Sequence, residues 1–139
     1  MATMHCEIVS AEKELFSGTI TRLEAVGTIG GLGIYPGHAP LLTGIQPGPV
    51  VLHQENGEEE IFFASGGFIE IQPGYVTILA DTALRAEDLD EAQAKEAEEA
   101  AERSRSESAA DVDFSVVAAQ LAEARAQQRT IEELRKMRR

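Results

Sequence analysis

The chain has 139 residues, a formal net charge of -12 and no tryptophan, and its length suits one domain or one small domain with an appendage. The acidic charge argues against a nucleic-acid binder, because neutralising phosphates requires a basic face on the folded domain. The single cysteine, Cys6, excludes an internal disulfide, and no apolar run approaches the roughly 20 residues of a membrane span. We therefore expect a soluble chain that is not exported.

The first part of the chain, residues 1–84, consists of short apolar runs separated by turn residues. Near its start Met4, Cys6 and Ile8 alternate with other residues, which is the period of a strand with one buried face. Three Pro-Gly pairs and the pair Asn56-Gly57 mark tight turns. So many short strands predict a β-sandwich or barrel rather than a parallel sheet.

The composition changes after Arg85, where glycine and proline are absent and Ala, Glu, Arg and Gln dominate. These residues favour helix. Asp88 is followed three residues later by Glu91, which has the form of a capping box and places a helix start at Asp88. We predict a first helix over about 88–103, ended by the loop sequence SRSESAAD.

A second helix is predicted over about 113–137, with Asp113 as its cap. Apolar or small residues follow it at steps of three and four, with the polar Gln128 in the same series: Phe114, Val117, Leu121, Ala124 and Ile131. Two helices joined by a short loop predict an antiparallel hairpin over residues 85–139.

The first helix offers this hairpin little apolar area. Its facing side has Leu89 and then mainly alanines: Ala92, Ala97, Ala100 and Ala101. Because apolar burial contributes roughly 0.8 kcal/mol per methylene-sized group, an alanine seam is weak. The hairpin is either a docked element that a partner can displace or a helix pair that is stable and static, and composition alone leaves both open.

The charge is distributed unevenly along the chain. Residues 1–84 carry 2 basic and 10 acidic groups, residues 85–124 carry 4 and 12, and residues 125–139 carry 6 and 2. The six cations at the end of an acidic chain suit an acidic partner: Arg125, Arg129, Arg135, Lys136, Arg138 and Arg139. The favourable interaction between cations and the C-terminal end of a helix dipole explains two or three of these cations.

No catalytic or metal site is predicted. The histidines His5, His38 and His53 are dispersed and form no ligand cluster. Ser65 lies in ASGG and lacks the GxSxG setting of a nucleophile. The glycine-rich stretch GTIGGLGIYPG lacks the GK[ST] ending of a phosphate loop, so its glycines are interpreted as turn formers.

Several motifs together nevertheless indicate a family: LGIYPGHAPLLT, SGGFIEIQPG, VTILADTALRAEDLDEA and DVDF, in this order. With them the chain resembles the epsilon subunits of bacterial rotary ATP synthases over nearly its whole length. The resemblance implies an α+β protein, in which a ten-stranded β-sandwich precedes a two-helix hairpin. It also implies a non-catalytic rotor subunit that binds the gamma subunit and the c-ring. Such a subunit lies at the cytoplasmic face of the bacterial inner membrane and meets the membrane only through the complex.

The resemblance also implies contact residues on the rotor side. Gly31 stands where relatives often have an acidic residue near the ring, and the PGHAP loop is implied at the end of the sandwich that meets the ring. The candidate contacts with gamma or the c-ring are Ser10, Gly31, Pro36, His38, Ala39, Pro40 and Thr43.

For the hairpin, the resemblance implies an inhibitory switch. In a compact form it folds beside the sandwich, and in an extended form the second helix reaches the catalytic alpha and beta subunits and blocks ATP hydrolysis. The candidate inhibitory contacts are Ser108, Arg125, Arg129, Arg135 and Lys136.

Some family members bind ATP through a motif of the type [IL]DxxRA. Here Leu89, Asp90 and Ala94 match it, but Gln93 replaces the arginine. Because a neutral amide lacks the charged, forked donor that phosphates favour, we expect weak or no ATP binding and no other cofactor.

The alternative function left open by the sequence is a free-standing small-molecule-binding sandwich with the helices as a lid. A free-standing module should bind its ligand alone, whereas a rotor subunit should copurify with gamma.

Overall fold

The computed structural model describes residues 2–107 and 114–137. Within these residues, ten strands come first and two helices follow, which confirms the predicted order of sandwich and helices. The strands are β1 (Met4–Ser10), β2 (Glu14–Ile20), β3 (Arg22–Gly27), β4 (Gly30–Ile34), β5 (Leu41–Ile45), β6 (Gly48–His53), β7 (Glu59–Ala64), β8 (Gly67–Gln72), β9 (Tyr75–Ala80) and β10 (Ala83–Arg85). The helices are α1 (Glu91–Glu107) and α2 (Phe114–Met137).

The strands pair in the order β10-β7-β6-β3-β5-β8-β9-β1-β2, and β4 pairs with β3. Neighbouring strands are antiparallel except for β1 and β9, which are parallel. Strands β3 and β5 share the single pair Gly27 and Ile45. The sheet can therefore fold over at this point into two layers, a first layer that ends at β3 and β4 and a second layer that begins at β5.

One continuous hydrophobic core lies between the two layers. Buried side chains from both contribute to it, and the Phe16 and Phe62 rings meet edge to face with centroids 6.0 Å apart. Cys6 is fully buried in this core, and burial raises the pKa of its thiol to about 12. Buried residues alternate along β1, β3 and β9, which accounts for the period read from the sequence, whereas β6 and β7 have consecutive buried residues.

Arg85 fastens the last strand to the rest of the sandwich. Its Nη2 donates a hydrogen bond to the Leu15 carbonyl at 3.1 Å, and its guanidinium lies 5.2 Å from the centre of the Phe62 ring. The same side chain forms an ion pair with Glu60, with Nη1 and Oε2 3.6 Å apart. Arg85 thus ties β10 to β2 and β7 at the point where the chain leaves the sandwich.

The first helix begins three residues later than the expected start at Asp88. Residues Ala86–Asp88 form a 3-10 turn, and Leu89 after it has extended backbone with ψ of 137°. Asp90 is the residue that caps α1, because its Oδ1 accepts a hydrogen bond from the Gln93 amide at 3.1 Å. The capping box was therefore a wrong prediction of the boundary, since the side chain two residues further on supplies the cap.

The same helix ends at Glu107 rather than near 103, so the first four residues of SRSESAAD continue the helix. Neither glycine nor proline interrupts the backbone there. The rest of that stretch and the proposed cap Asp113 lie outside the described residues.

Strand β8 begins at a glycine whose position is unfavourable for any side chain. Gly67 has a φ of +132°, and a Cβ there would overlap the Leu79 carbonyl oxygen and lie 2.9 Å from the Ala80 Cα. The obstructing atoms are backbone atoms of the neighbouring strand β9, which cannot move without breaking the pairing of β8 with β9. Because Gly67 has no side chain, β8 and β9 can approach closely enough to pair.

Replacing Gly67 with alanine is expected to lower the free energy of unfolding by about 3 kcal/mol, from backbone strain and steric overlap together. Gly31→Ala is the matched control, because a Cβ at Gly31 meets no atom within 4 Å and should change stability by less than about 1 kcal/mol. Urea unfolding of both variants measures the difference. Equal stability of the two would contradict this account of Gly67.

Candidate functional site

The loop between β4 and β5 contains the PGHAP motif, and backbone hydrogen bonds fix its shape. The Gly37 amide donates to the Pro73 carbonyl at 2.9 Å, and the His38 amide donates to the Tyr35 carbonyl at 3.2 Å. The His38 ring interacts with the carbonyl of its neighbour Ala39, with Nδ1 and O 2.7 Å apart. The loop is thus held against the turn between β8 and β9.

The predicted rotor contacts do not lie together. Strand β4 starts beside the β3–β4 turn, near Gly31 and the 98% exposed Ile29, and it ends where the PGHAP loop begins. We call the first end of the sandwich the tip end, marked by Ile29, and the other the loop end, marked by His38. Gly31 therefore lies near the tip end, while Pro36, His38, Ala39 and Pro40 lie at the loop end.

Ser10 belongs to the tip end. One row of paired residues crosses the second layer there from β3 to the end of β1: Gly27, Ile45, Gly67, Ala80 and Ser10. The Ser10 hydroxyl donates to the Lys13 carbonyl at 3.3 Å. Ser10 is thus part of the turn that joins β1 to β2.

Thr43 lies in neither group. Its register partner is Ile69, which pairs with the buried Ile78. Directly paired residues point to the same face of a sheet, so Thr43 points toward the inside of the sandwich and is half-buried.

An apolar row crosses the outer face of the second layer. It consists of Gly44, Phe68, Leu79 and Val9, which pair in this order across β5, β8, β9 and β1. The Phe68 side chain is 57% exposed, and Leu79 beside it is 51% exposed. Adjacent exposed apolar side chains on a regular sheet are typical of a surface that binds another protein.

The hairpin contacts the sandwich through α2. Strands β6 and β7 and the 3-10 turn all contact this helix, whereas α1 packs chiefly against α2. Leu134 packs into a cluster formed by Val51, Ile61 and Ala86. We call this cluster the Leu134 seat. Arg129 lies one and a half turns earlier in the helix, and its Nη2 donates to the Pro47 carbonyl at 3.3 Å.

On the α1 side, alanines form the contact between the helices, but of the alanines predicted to face α2 only Ala101 is buried, and Ala92, Ala97 and Ala100 are exposed. Ala101 is buried with Val117 and Leu121 in one cluster, and Ala94 is buried further along α1. Alanine contributes little buried area, so apolar packing between α1 and α2 is weak relative to a leucine-lined contact.

Three of the four basic candidates make ion pairs. Arg125 contacts Glu98 and Glu102 on α1 at 3.8 and 2.9 Å. Arg135 pairs with Glu91 on α1. Lys136 pairs at 3.5 Å with Glu133, one turn before it on α2, whereas Arg129 contacts the sandwich as described above.

The candidate nucleotide stretch has structural roles in this conformation. Asp90 caps α1, Ala94 is buried, and Leu89 is half-buried. Gln93 supplies its backbone amide to the cap. The Asp90 carboxylate is therefore already engaged by the helix end.

Ser108 lies outside the described residues, as do Arg138 and Arg139 at the end of the chain.

Sequence reasoning missed the side of α2 that faces the sandwich. Ala126, Thr130 and Leu134 repeat every four residues; the first two are fully buried, and the Thr130 hydroxyl donates to the Ala126 carbonyl at 2.8 Å. The spacing of four was a readable signal, but threonine and alanine made this second face inconspicuous. Phe68 and Leu79 were likewise readable as apolar residues in outward positions of alternating strands.

Among the described residues, no group of histidine, cysteine and carboxylate side chains is arranged to hold a metal ion. None of the described helices is long and apolar enough to cross a membrane.

Comparison with known proteins gives a family match. The model of the ATP synthase delta/epsilon chain, β-sandwich domain, matches residues 3–86. The match spans the whole sandwich and stops at the start of the 3-10 turn.

Two solved structures have a similar fold. A chain of the Euglena gracilis mitochondrial ATP synthase, from a structure of OSCP, F1 and c-ring in rotational state 1, is 20% identical with a TM-score of 0.73. That likeness covers 100% of this chain and 83% of the other. A chain of the Tetrahymena thermophila mitochondrial ATP synthase, from a structure of the central stalk and c-ring, is 13% identical with a TM-score of 0.61, covering 92% of this chain and 96% of that one.

Replacing Leu134 with alanine is expected to weaken docking of α2 by about 1–2 kcal/mol, less than for a fully buried leucine because the side chain is half-buried. Backbone amides of α2 should then exchange with solvent about 5 to 30 times faster. Val116→Ala is the control, because Val116 is on the same helix and 50% exposed. Exchange that increases equally in both variants would show that Leu134 does not hold the helix.

Proposed function

The chain belongs to the ATP synthase delta/epsilon chain family, and from this membership we propose that it is a non-catalytic subunit of the central stalk. In this role it binds the gamma subunit and the c-ring, and its helices restrain ATP hydrolysis. The complex holds it at the cytoplasmic face of a bacterial inner membrane. Family membership favours this role over a free-standing small-molecule-binding module.

The apolar row is the observation that carries the proposal. Phe68 and Leu79 lie side by side on the second layer, whereas the helices contact β6 and β7 of the first layer. A large partner can therefore cover the apolar row while the hairpin stays docked. We assign this face to gamma, because the surface that binds gamma has to keep its structure when the helices move.

The direction of β10 supports assigning the c-ring to the tip end. Ala83 pairs with Ala64, Arg85 pairs with Phe62, and the chain thus leaves the sandwich toward the loop end. Helices that extend from this exit reach furthest beyond the loop end. An inhibitor that reaches the catalytic head, away from the membrane, then requires the ring at the tip end, with Gly31 and Ile29 as contacts. The proposal therefore moves the ring contact away from His38 and the PGHAP loop.

The weak attachment of the helices supports the inhibitory role. Helix α2 has 24 residues, so it would reach about 36 Å if it extended. Its contacts in the compact form include the Leu134 seat with the buried Ala126 and Thr130 on the same side, the small cluster around Ala101, the bond from Arg129 and exposed ion pairs to α1. A conformational equilibrium set by such contacts is within the range that a partner can shift.

We also propose that ATP does not control this hairpin through the family motif. The neutral Gln93 stands where the motif has arginine, and Asp90 is engaged as the cap of α1. Both observations support a switch that depends on protein contacts alone.

Replacing Phe68 with aspartate is expected to weaken binding to gamma at least tenfold, since a charge would be placed in an apolar contact. The fold should persist because the side chain is 57% exposed. Leu84→Asp is the matched control on β10, outside the apolar row. Calorimetric titration with purified gamma from the same organism measures both, and equal affinities would exclude the apolar row as the gamma surface.

Removing residues 87–139 is expected to leave a folded sandwich that still binds gamma, because the β10 fastening by Arg85 is retained. ATP hydrolysis by the assembled complex should rise several-fold when the helices are absent. Steady-state ATPase measurement with full-length and truncated chains tests this. Unchanged hydrolysis, with gamma binding intact, would overturn the inhibitory role and leave the structural role standing.

A further inference from the structure

The ion pairs between the helices form an ordered series. Glu91 pairs with Arg135, Glu98 with Gln128 and Arg125, and Glu102 with Arg125. On α1 these carboxylates are seven and four residues apart, which places them on one face of the helix. The polar edge of the hairpin is therefore a row of α1 acids facing cations and an amide on α2.

Helix α1 is itself an acidic segment. Its sequence EAQAKEAEEAAERSRSE contains six glutamates and three basic residues. Arg125 and Arg135 of α2 are thus already placed against a helical acidic surface when the hairpin is closed. The carboxylates of α1 therefore bind these side chains in the same way as the carboxylates of an acidic partner would.

We propose that α1 is an intramolecular competitor for the arginines that the inhibitory contact needs. This inference rests on the proposed inhibitory function and adds a regulatory element to it. Arg125 and Arg135 hold the hairpin closed through α1, or they bind an acidic segment of the catalytic subunits. They do not do both, because the donors of each guanidinium are directed at one set of carboxylates at a time.

Because of this competition, substitutions on α1 and substitutions on α2 should change inhibition in opposite directions. Removing carboxylates from α1 weakens the closed form and leaves the arginines available, so inhibition increases. Removing Arg125 also weakens the closed form, but it takes away the inhibitory contact, so inhibition does not increase. A purely structural role of the ion pairs predicts no such difference in sign.

The size of the effect is limited by solvent. The Arg125 and Arg135 side chains are 49% and 57% exposed, and exposed ion pairs contribute little and are screened by salt. We expect loss of the Arg125 contacts to raise the open fraction about threefold to tenfold at low salt. The increase should shrink as the salt concentration rises.

The first test uses the isolated full chain with the double variant Glu98→Gln and Glu102→Gln. Dyes are attached at Lys95→Cys on α1 and Glu132→Cys on α2, both exposed positions, while buried Cys6 stays unlabelled because its thiol pKa is raised to about 12. Energy transfer between the dyes reports opening. Glu96→Gln is the matched control, since Glu96 is exposed on the same helix and has no ion pair among the described residues.

In this test the double variant should open more than Glu96→Gln at low salt, and the two should converge at high salt. Leu134→Ala should leave the energy transfer unchanged at both salt concentrations, because Leu134 packs on the sandwich and not between the helices. Equal opening of the double variant and the Glu96→Gln control would overturn the proposal.

The second test measures ATP hydrolysis by the assembled complex. The Glu98→Gln and Glu102→Gln variant should inhibit more strongly than the native chain, and Arg125→Ala should inhibit less. If both variants shift inhibition in the same direction, the competition is disproved. If neither variant nor truncation of the helices changes hydrolysis, the inhibitory function fails. The dye experiment still tests by itself whether the ion pairs of Arg125 with Glu98 and Glu102 hold the hairpin closed.

Discussion

Docking of the C-terminal part of α2 on the first layer is the interaction on which the conformation of the helical region depends. Leu134 in its seat and Arg129 at the Pro47 carbonyl connect this helix to the sandwich. Helix α1 packs chiefly on α2, so its position follows from that of α2. The whole helical region is therefore held by one narrow face of α2, formed by Ala126, Thr130 and Leu134, and by polar contacts at its edge, and a change at this face affects both helices.

The sandwich differs from the hairpin in how its parts depend on one another. Its two layers share one core, and β10 pairs with β7 and is tied to β2 by Arg85. At Gly67 the chain approaches the next strand so closely that no side chain fits. Large buried area and fixed backbone pairing make this part stiff. Such a base can keep a constant surface toward one partner while the helices exchange contacts with another.

Much of the architecture could be predicted because it follows from local patterns. The alternation of Met4, Cys6 and Ile8 marks a strand whose inner residues are indeed buried. The pair Asn56-Gly57 lies in the link between β6 and β7, where Gly57 has a φ of +85°. The start of α1 was misplaced because Asp88 and Asp90 both have capping chemistry. Only the position of the chain after the 3-10 turn selects Asp90.

The sequence by itself determined that an all-β part precedes an alanine-rich helical hairpin with a basic end, because hydrophobic period and composition are local properties of the chain. Only the tertiary structure decided which partners the side chains meet. Gly31 and His38 are seven residues apart but lie toward opposite ends of the sandwich, since β4 runs between them. The arginines of α2 face the acids of α1 because the two helices are antiparallel and in one register. Long-range pairing sets both relations, and no local pattern contains it.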